Sequence, residues 1–400
     1  MQQVYTPREE IHNRIKSVQS LMEQKDLDGI IVIHHINMFY FSGTSQSGHL
    51  FIPKNGTPLL MVRKSYERAC LESPLDNIIE LASLKAILPA VEEHLGTQLK
   101  SVGLELDIIP YNTVEMYREK ALRGVRIEDG SAVMKESRML KSGWEIDLLR
   151  NSCRILDSAF SMVPGMLKEG MAEIELASRF EAYMRRNGYG GASKMRAFNQ
   201  DFLFGNLVSG SSGHIPTFFD GPVGGSGLSS ANNPHGAGWK KIKANEPVYI
   251  DYTCVINGYT ADAERVFVLG HKPLDNALLY AHKTALLIQE EVIKQLKPGT
   301  ACSDIWDLSE QIAEQEGLSE NFMGFGKERV RFLGHGVGLE MDELPVFTKG
   351  SGLILQAGMT FALEPKFVFE HGVVGIENTF VLKENGAEKL NNFTEDIIYI

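Results

Sequence analysis

The chain has 400 residues, with 40 Lys and Arg against 51 Asp and Glu and a formal net charge of −11. Its 43% hydrophobic and 23% charged residues are ordinary globular proportions; they exclude disorder, collagen and coiled coil, and the length points to two or three domains. The acidic field repels phosphate backbones and anionic membranes, so neither nucleic acid nor a membrane is an expected partner. No apolar stretch approaches the ~18 residues needed to span a bilayer, and MQQVYTPREE lacks a basic segment followed by an apolar one. The expected location is the cytoplasm. Cys70, Cys153, Cys254 and Cys302 are too widely spaced for CxxC metal sites or a disulfide framework, and read as reduced, mostly packed thiols.

Thr6-Pro7-Arg8-Glu9 has a capping-box pattern, and Ile11, Ile15, Val18 and Met22 recur at helical spacing, predicting a helix from about Pro7 to Lys25. The continuous β-branched run Ile30 to Ile33 reads as a strand buried on both faces. Strand-like segments at 48–52 and 59–62 and a helical stretch near 84–94 complete an α/β domain. A second capping box, Ser142-Gly143-Trp144-Glu145, opens a helix whose face is lined by Ile146, Leu149, Cys153, Leu156 and Phe160. The pattern weakens between Ile127 and Leu140, which places the boundary between a domain of residues 1–135 and an α+β domain of residues 136–400. Further helices are expected near 173–187, 276–296 and 303–316.

From Val208 to Trp239 the chain is dense in Gly, Ser and Pro without a sustained period. It is either a substrate-facing loop or a plain surface insertion. Its glycines match neither GxGxxG nor GxxxxGK[ST], which argues against a nucleotide site.

The segment VYIDYTCVINGYTADAERVFVL (248–269) reads as a hairpin turning at Asn257-Gly258. That turn sets Asp251 opposite Glu264 and diagonal to Asp262, three acids on one face within roughly 5–8 Å. Such a set must be neutralised by shared protons, a Lys or Arg, or a cation, unless it is a solvated polar face with Arg265 nearby. His335 sits in the glycine-rich run FLGHGVGL, Glu364 ends an apolar strand in FALEP, and Glu377 lies in VVGIENTFV. Four acids and one His on β structure make a plausible oxygen-rich site for hard to borderline divalent metals.

These segments resemble the creatinase/methionine aminopeptidase superfamily of pita-bread metalloproteins, and within it the Xaa-Pro dipeptidase and aminopeptidase P-like branch. An Asp in a strand followed eleven positions later by an Asp in a GYxxDxxR context is matched by Asp251 and GYTADAER. GHGVGLEMDELP matches the motif that carries the ligand His, and the EP and IEN strands match the last two ligands. RIKSVQSLMEQKDLDGIIVIHHINMFYFSGT is similar to the creatinase-type accessory domain, and Arg138 to Arg150 to the stretch that opens the catalytic domain.

The resemblance implies a metallopeptidase with two divalent ions (Mn, Co, Fe or Zn) held by Asp251, Asp262, His335, Glu364 and Glu377. A metal-bridging hydroxide would attack short peptides, Xaa-Pro dipeptides among the candidates, with Glu364 shuttling the proton. His235, in Asn233-Pro234-His235, falls where the family carries a substrate-contacting His. A homodimer is implied as well. Four positions depart from the pattern. Asp342 and Arg331 stand where such peptidases often have His, and Asp342 cannot donate to an oxyanion unless protonated. Gly375 replaces an Arg, and Glu264, as in creatinase, replaces a Thr. A creatinase-like enzyme cleaving a C–N bond in a small amidino or amide substrate is therefore the alternative, because Asp342 and Glu264 would give an acidic rim; a catalytically silent metal-binding protein is the third reading.

Overall fold

The structure is a computed structural model that describes residues 4–23, 25–191, 193–200, 205–231 and 234–400. The chain divides into two compact units, Met1–Arg138 and Met139–Ile400.

The first unit holds a six-stranded sheet of β1 (Gly29–Val32), β2 (Gly48–Pro53), β3 (Leu59–Val62), β4 (Ile78–Glu80), β5 (Ser101–Leu104) and β6 (Arg126–Asp129), in the order β4-β3-β2-β1-β5-β6. The β-branched run forms β1, where Ile30, Ile31 and Val32 are fully buried because the strand is internal and covered on both faces. The first helix spans Arg8–Met22, with Pro7 as N-cap and no side-chain cap bond. The expected capping box at Thr6 therefore does not form, and the helix stops at Met22, three residues short of the expected end at Lys25. The stretch near 84–94 is a short 3-10 turn, Leu84–Ala86, leading into a helix over Ile87–Leu95. Pro89 fits there because the first turn of a helix needs no N–H from it.

Buried in this unit is His49 on β2, whose Nε2 pairs with the Tyr117 hydroxyl. Burial, with Arg63 adding, lowers the imidazole to about 4, and burial pushes the Tyr117 phenol up to about 12. The fold therefore favours neutral His49, while the unfolded chain takes up a proton near the ordinary value of 6.5. The resulting stability is complete above about pH 6.5 and is lost as pH falls toward 4, at up to ~1.4 kcal/mol per pH unit. Urea unfolding of wild type and His49→Gln between pH 7 and 4.5 checks this: the wild-type midpoint should fall more steeply, and parallel slopes would refute it.

The second unit contains β7 (Gly205–Ser209), β8 (Pro247–Ile256), β9 (Tyr259–Val268), β10 (Phe332–Gly336), β11 (Glu343–Thr348) and β12 (Thr360–Leu363). They are followed by β13 (Lys366–Phe369), β14 (Gly372–Gly375), β15 (Asn378–Lys383), β16 (Gly386–Lys389) and β17 (Ile398–Tyr399). Three sheets result: β17-β9-β8-β7, β11-β10-β12-β15-β16, and the hairpin β13-β14. The β8–β9 hairpin turns at Asn257-Gly258, with φ of 52° and 88°, the left-handed values a tight two-residue turn demands. Asp251 consequently faces Glu264, and Thr253 faces Asp262.

Behind β8 and β9 lies the helix Gly143–Met166, whose capping box is formed: Ser142 Oγ accepts from the Glu145 N–H and Glu145 Oε2 from the Ser142 N–H. Its predicted apolar face is buried throughout. The other helices run Glu173–Arg186, Asn276–Gln295 and Cys302–Gln315. Cys153, Cys254 and Cys302 are buried, Cys70 is exposed, and all four are free thiols. Among the described residues no helix is long and apolar enough to cross a membrane.

Candidate metal centre

Strand alternation and two strand ends bring five acids of the second unit together: Asp251, Asp262, Glu264, Glu364 and Glu377. Residues two apart on a strand share a face, so Asp262 and Glu264 project from β9 to the same side, and Asp251 joins them across the ladder. Glu364 follows the last residue of β12, its N–H held by the Leu333 carbonyl at 3.0 Å. Glu377 lies between β14 and β15 and forms an isolated bridge with Glu264. His335 sits on β10 opposite Ala362, which places its Nε2 3.6 Å from Glu364 Oε1 and 3.8 Å from Asp262 Oδ2.

Two sets of potential ligand atoms converge here, each within 4.8 Å of one another: Asp262, His335 and Glu377 in one, and Asp251, Glu264 and Glu377 in the other. The first set joins carboxylates to an imidazole, a donor set that suits a divalent ion of the Mn to Zn series. Its carboxylates also call for a cation. Burial, then Asp251 and Glu364, hold the Asp262 carboxyl well above the usual range, and burial, then Asp262, does the same for Glu377.

A side chain that the sequence reading passed over occupies the second set. Lys366, on β13, is 1% exposed. Its Nζ lies 2.6 Å from Glu264 Oε2, 2.8 Å from Glu364 Oε2, 2.9 Å from the Tyr249 hydroxyl, 3.3 Å from Asp251 Oδ2 and 3.7 Å from Glu377 Oε2. Burial pulls its pKa down, but Asp251, Glu264 and Glu364 outweigh burial and hold it well above the ordinary lysine value. Tyr249, also buried, places its hydroxyl 2.8 Å from Asp251 Oδ2 and 2.6 Å from Glu264 Oε2. Burial pushes Glu264 up, Lys366 pulls it back and Asp251 pushes it up again, leaving it at about 7. Glu264 thus has a partner, and of the three neutralisers open on sequence grounds a lysine is one that is present. The readable signal was parity: Lys366 lies two residues beyond the ligand candidate Glu364, on the same side of an extended chain.

Asp251, Asp262, Glu364, Glu377 and His335 line a cavity of about 230 Å³, shared with Met195, Phe219, Val223, His235, Met341 and Asp342. The 208–239 segment therefore contributes to the cavity wall. It is tied back by Asn206 Nδ2, which donates to the carbonyls of Val223 and Gly224 at 2.9 Å each. Gly225 has φ of 132° and passes so close to Gly236 that a Cβ would lie 2.5 Å from its carbonyl oxygen, so only glycine fits that crossing. Asn233 lies outside the described residues. His235 itself pairs its Nδ1 with Thr217 Oγ1 at 3.0 Å, and burial lowers it to about 4 against a small opposing pull from Asp251, so the ring is neutral at physiological pH.

Asp342 accepts hydrogen bonds from the backbone N–H groups of Arg196 (2.9 and 3.1 Å to its two oxygens) and Ala197 (3.1 Å). Its charge is therefore engaged in holding the chain around residues 195–197 against the cavity. Arg331 lines not this cavity but a neighbouring groove of about 570 Å³ that shares Phe219 and Pro222 with it.

Similar proteins share this architecture along the whole chain. The Xaa-Pro dipeptidase of Pyrococcus furiosus is 26% identical over 96% of this chain and 99% of its own, and that of Pyrococcus horikoshii is 26% identical over 97% and 99%. Among solved structures, the Xaa-Pro dipeptidase from Bacillus anthracis superposes with a TM-score of 0.82 at 22% identity, over 98% of this chain and 100% of its own. The prolidase from Pyrococcus horikoshii superposes with a TM-score of 0.78 at 25% identity, over 96% and 99%. The second unit thus has the pita-bread fold. Residues 14–140 match the creatinase/prolidase N-terminal domain. Residues 147–384, more than half of the protein and the whole of the cavity wall, match metallopeptidase family M24, and the chain belongs to that family.

Proposed function

We propose that the protein is a divalent-metal-dependent exopeptidase or dipeptidase acting on short peptides, with Xaa-Pro dipeptides as the first substrates. The observation that carries this reading is the convergence of Asp262, His335 and Glu377 beside Glu364 in one cavity of a family M24 chain. The cavity, at about 230 Å³, is small beside the ~300–1,000 Å³ common for drug-sized ligands, which suits a dipeptide better than a folded polypeptide. A bound Mn, Co, Fe or Zn ion would polarise the scissile carbonyl and lower the pKa of a water. Asp262, His335, Glu364 and Glu377 are the residues to hold it. Glu364, with one oxygen near His335 and the other on Lys366, would carry the water proton to the leaving amine. Neutral His235, its Nδ1 side occupied by Thr217, offers Nε2 to the substrate.

Proline preference is supported by the names of the similar proteins. A panel of Xaa-Pro and Xaa-Ala dipeptides, tripeptides and amidino compounds, assayed with and without Mn²⁺ or Co²⁺, tests the reading. Metal-dependent dipeptide cleavage is expected; turnover of an amidino compound with none of any peptide would overturn it in favour of the creatinase-like alternative. That alternative loses support, because Asp342, although it lines the cavity, is engaged by backbone N–H groups, and Glu264 is paired with Lys366. The family resemblance further supports a cytoplasmic homodimer, which light scattering checks by a mass of twice the chain.

Asp342 acts as a positioning residue in this reading. Asp342→Ala frees the N–H groups of Arg196 and Ala197 and loosens that wall. KM for the best dipeptide should rise about tenfold, roughly 1.4 kcal/mol of substrate binding, with kcat and metal content within twofold of wild type. A loss confined to kcat would show instead that the carboxylate acts on the reacting atoms.

A further inference from the structure

The carboxylate set Asp251, Glu264 and Glu377 is already filled. Lys366 Nζ lies within 3.7 Å of all three members, and of the other set it approaches only Glu377 that closely. An ammonium has three N–H donors, and four acceptors stand at hydrogen-bonding distance around this one, more than enough to satisfy it: Glu264, Glu364, the Tyr249 hydroxyl and, at 3.3 Å, Asp251. A divalent ion bound to the same three carboxylates through bonds of roughly 2.0–2.6 Å would share their cage with the ammonium, at separations where two cations in a water-poor site repel strongly.

The fold makes room for the lysine on purpose-fitted terms. Lys366 pairs with Gly375 across the β13–β14 hairpin. A Cβ on residue 375 would lie 2.5 Å from the Lys366 Cβ and 2.4 Å from Glu264 Oε1, so any larger residue there would push both away. Glu264 is completely buried and takes its Oε2 contacts from Lys366 and Tyr249. Glu264, Lys366 and Gly375 therefore fit as a single unit: the glycine opens the space, the lysine fills it, and the extra carboxylate pairs with the lysine. Two of the sequence departures, at 264 and 375, have one cause.

We propose that the Lys366 ammonium takes the place of one cation, so that the protein binds a single divalent ion per chain, at Asp262, His335 and Glu377 with Glu364 beside them. The inference rests on the metal-dependent reading above but concerns the number of ions rather than the reaction. The ammonium orients Asp251, Glu264 and Glu364 as an ion would, without offering a coordination position for substrate or water.

The test is metal stoichiometry on the full chain, stripped with chelator, reconstituted with Mn²⁺ and cleared of excess. Wild type is expected to hold one Mn²⁺ per chain by mass spectrometry and by titration calorimetry, with the electron paramagnetic resonance pattern of an isolated ion. Two ions per chain with an exchange-coupled spectrum would overturn the proposal while leaving the peptidase reading intact. No bound ion would overturn both. Lys366→Ala, shown to be folded by circular dichroism, is expected to take up a second Mn²⁺ in the emptied set; a folded variant that still binds one ion would show that the ammonium is not what excludes it. If that variant does not fold, the wild-type count alone decides.

Discussion

Asp262→Asn is expected to reduce bound divalent metal to a trace and to lower kcat/KM for a dipeptide by at least ~10³-fold, about 4 kcal/mol of transition-state stabilisation. The side chain is the one carboxylate of the His335 set whose backbone is locked from both directions: its N–H donates to Thr379 Oγ1 and its carbonyl accepts from the same hydroxyl, each at 2.9 Å. Asparagine is close to isosteric, so those bonds and the β8–β9 ladder should survive. What is removed is the charge. In the absence of a cation that charge is a liability, because burial, Asp251 and Glu364 all disfavour it. A carboxyl whose folded-state pKa is raised contributes stability below its unfolded value and loses it as pH rises through the folded value. Metal-stripped Asp262→Asn should therefore melt no lower than metal-stripped wild type at pH 7, and wild type alone should gain melting temperature when Mn²⁺ is added. Retention of both metal and activity within tenfold of wild type would remove Asp262 from the centre.

The parts of this site that rest on local rules were readable from residues alone. Asn257-Gly258 and the alternation on either side of it determine the hairpin register, and the register puts Asp251, Asp262 and Glu264 on one face before any long-range contact is known. Ser142 and Glu145 cap a helix for reasons confined to four residues. The same rule misfires at Thr6, because Pro7 becomes the cap position and the Thr6 side chain is buried instead. Lys366 escaped because a charged residue after a Glu-Pro pair reads as a solvated strand end. Its burial depends on Gly375, nine residues away, and on Tyr249 and Glu264 from another sheet. Asp342 was legible as a departure but not as a tether, since the groups it holds, at 196 and 197, belong to a loop with no periodic signal. Contacts between irregular loops and strand ends carry no sequence period, and it is there that the site differs most from what its motifs imply.

Arg265→Ala is expected to cause the largest loss of stability of any single substitution near the site, about 4 kcal/mol. The guanidinium is 1% exposed, and each of its five N–H donors has an acceptor. Nε donates to the Thr394 carbonyl at 2.6 Å; Nη1 donates to the carbonyls of Glu264 and Glu377 at 2.6 and 2.8 Å; Nη2 donates to Asn378 Oδ1 and the Phe393 carbonyl at 2.8 and 3.1 Å. Its plane lies near Phe160 and Phe393, whose rings stack on one another. Truncation takes a donor from four backbone carbonyls and one amide oxygen in a dry interior, the Glu377 carbonyl keeping the Glu264 N–H at 3.4 Å, and opens a cavity beside two aromatic rings. Lysine cannot replace it, since three donors on a flexible stem cannot reach five acceptors arranged around a planar fork. For a unit of this size ~4 kcal/mol corresponds to a fall of roughly 10 °C in melting temperature. The loss also reaches the metal. Arg265 clamps the backbones of Glu264 and Glu377, which otherwise meet through a single long N–H to carbonyl bond of 3.4 Å, so without it one ligand carboxylate and the partner of Lys366 are held together more loosely. Arg265→Ala should therefore bind Mn²⁺ at least tenfold more weakly even at a temperature where it remains folded. Melting within 2 °C of wild type would show that the carbonyls find other donors, and unchanged Mn²⁺ affinity in the folded variant would show that the carboxylates are positioned by their strands alone.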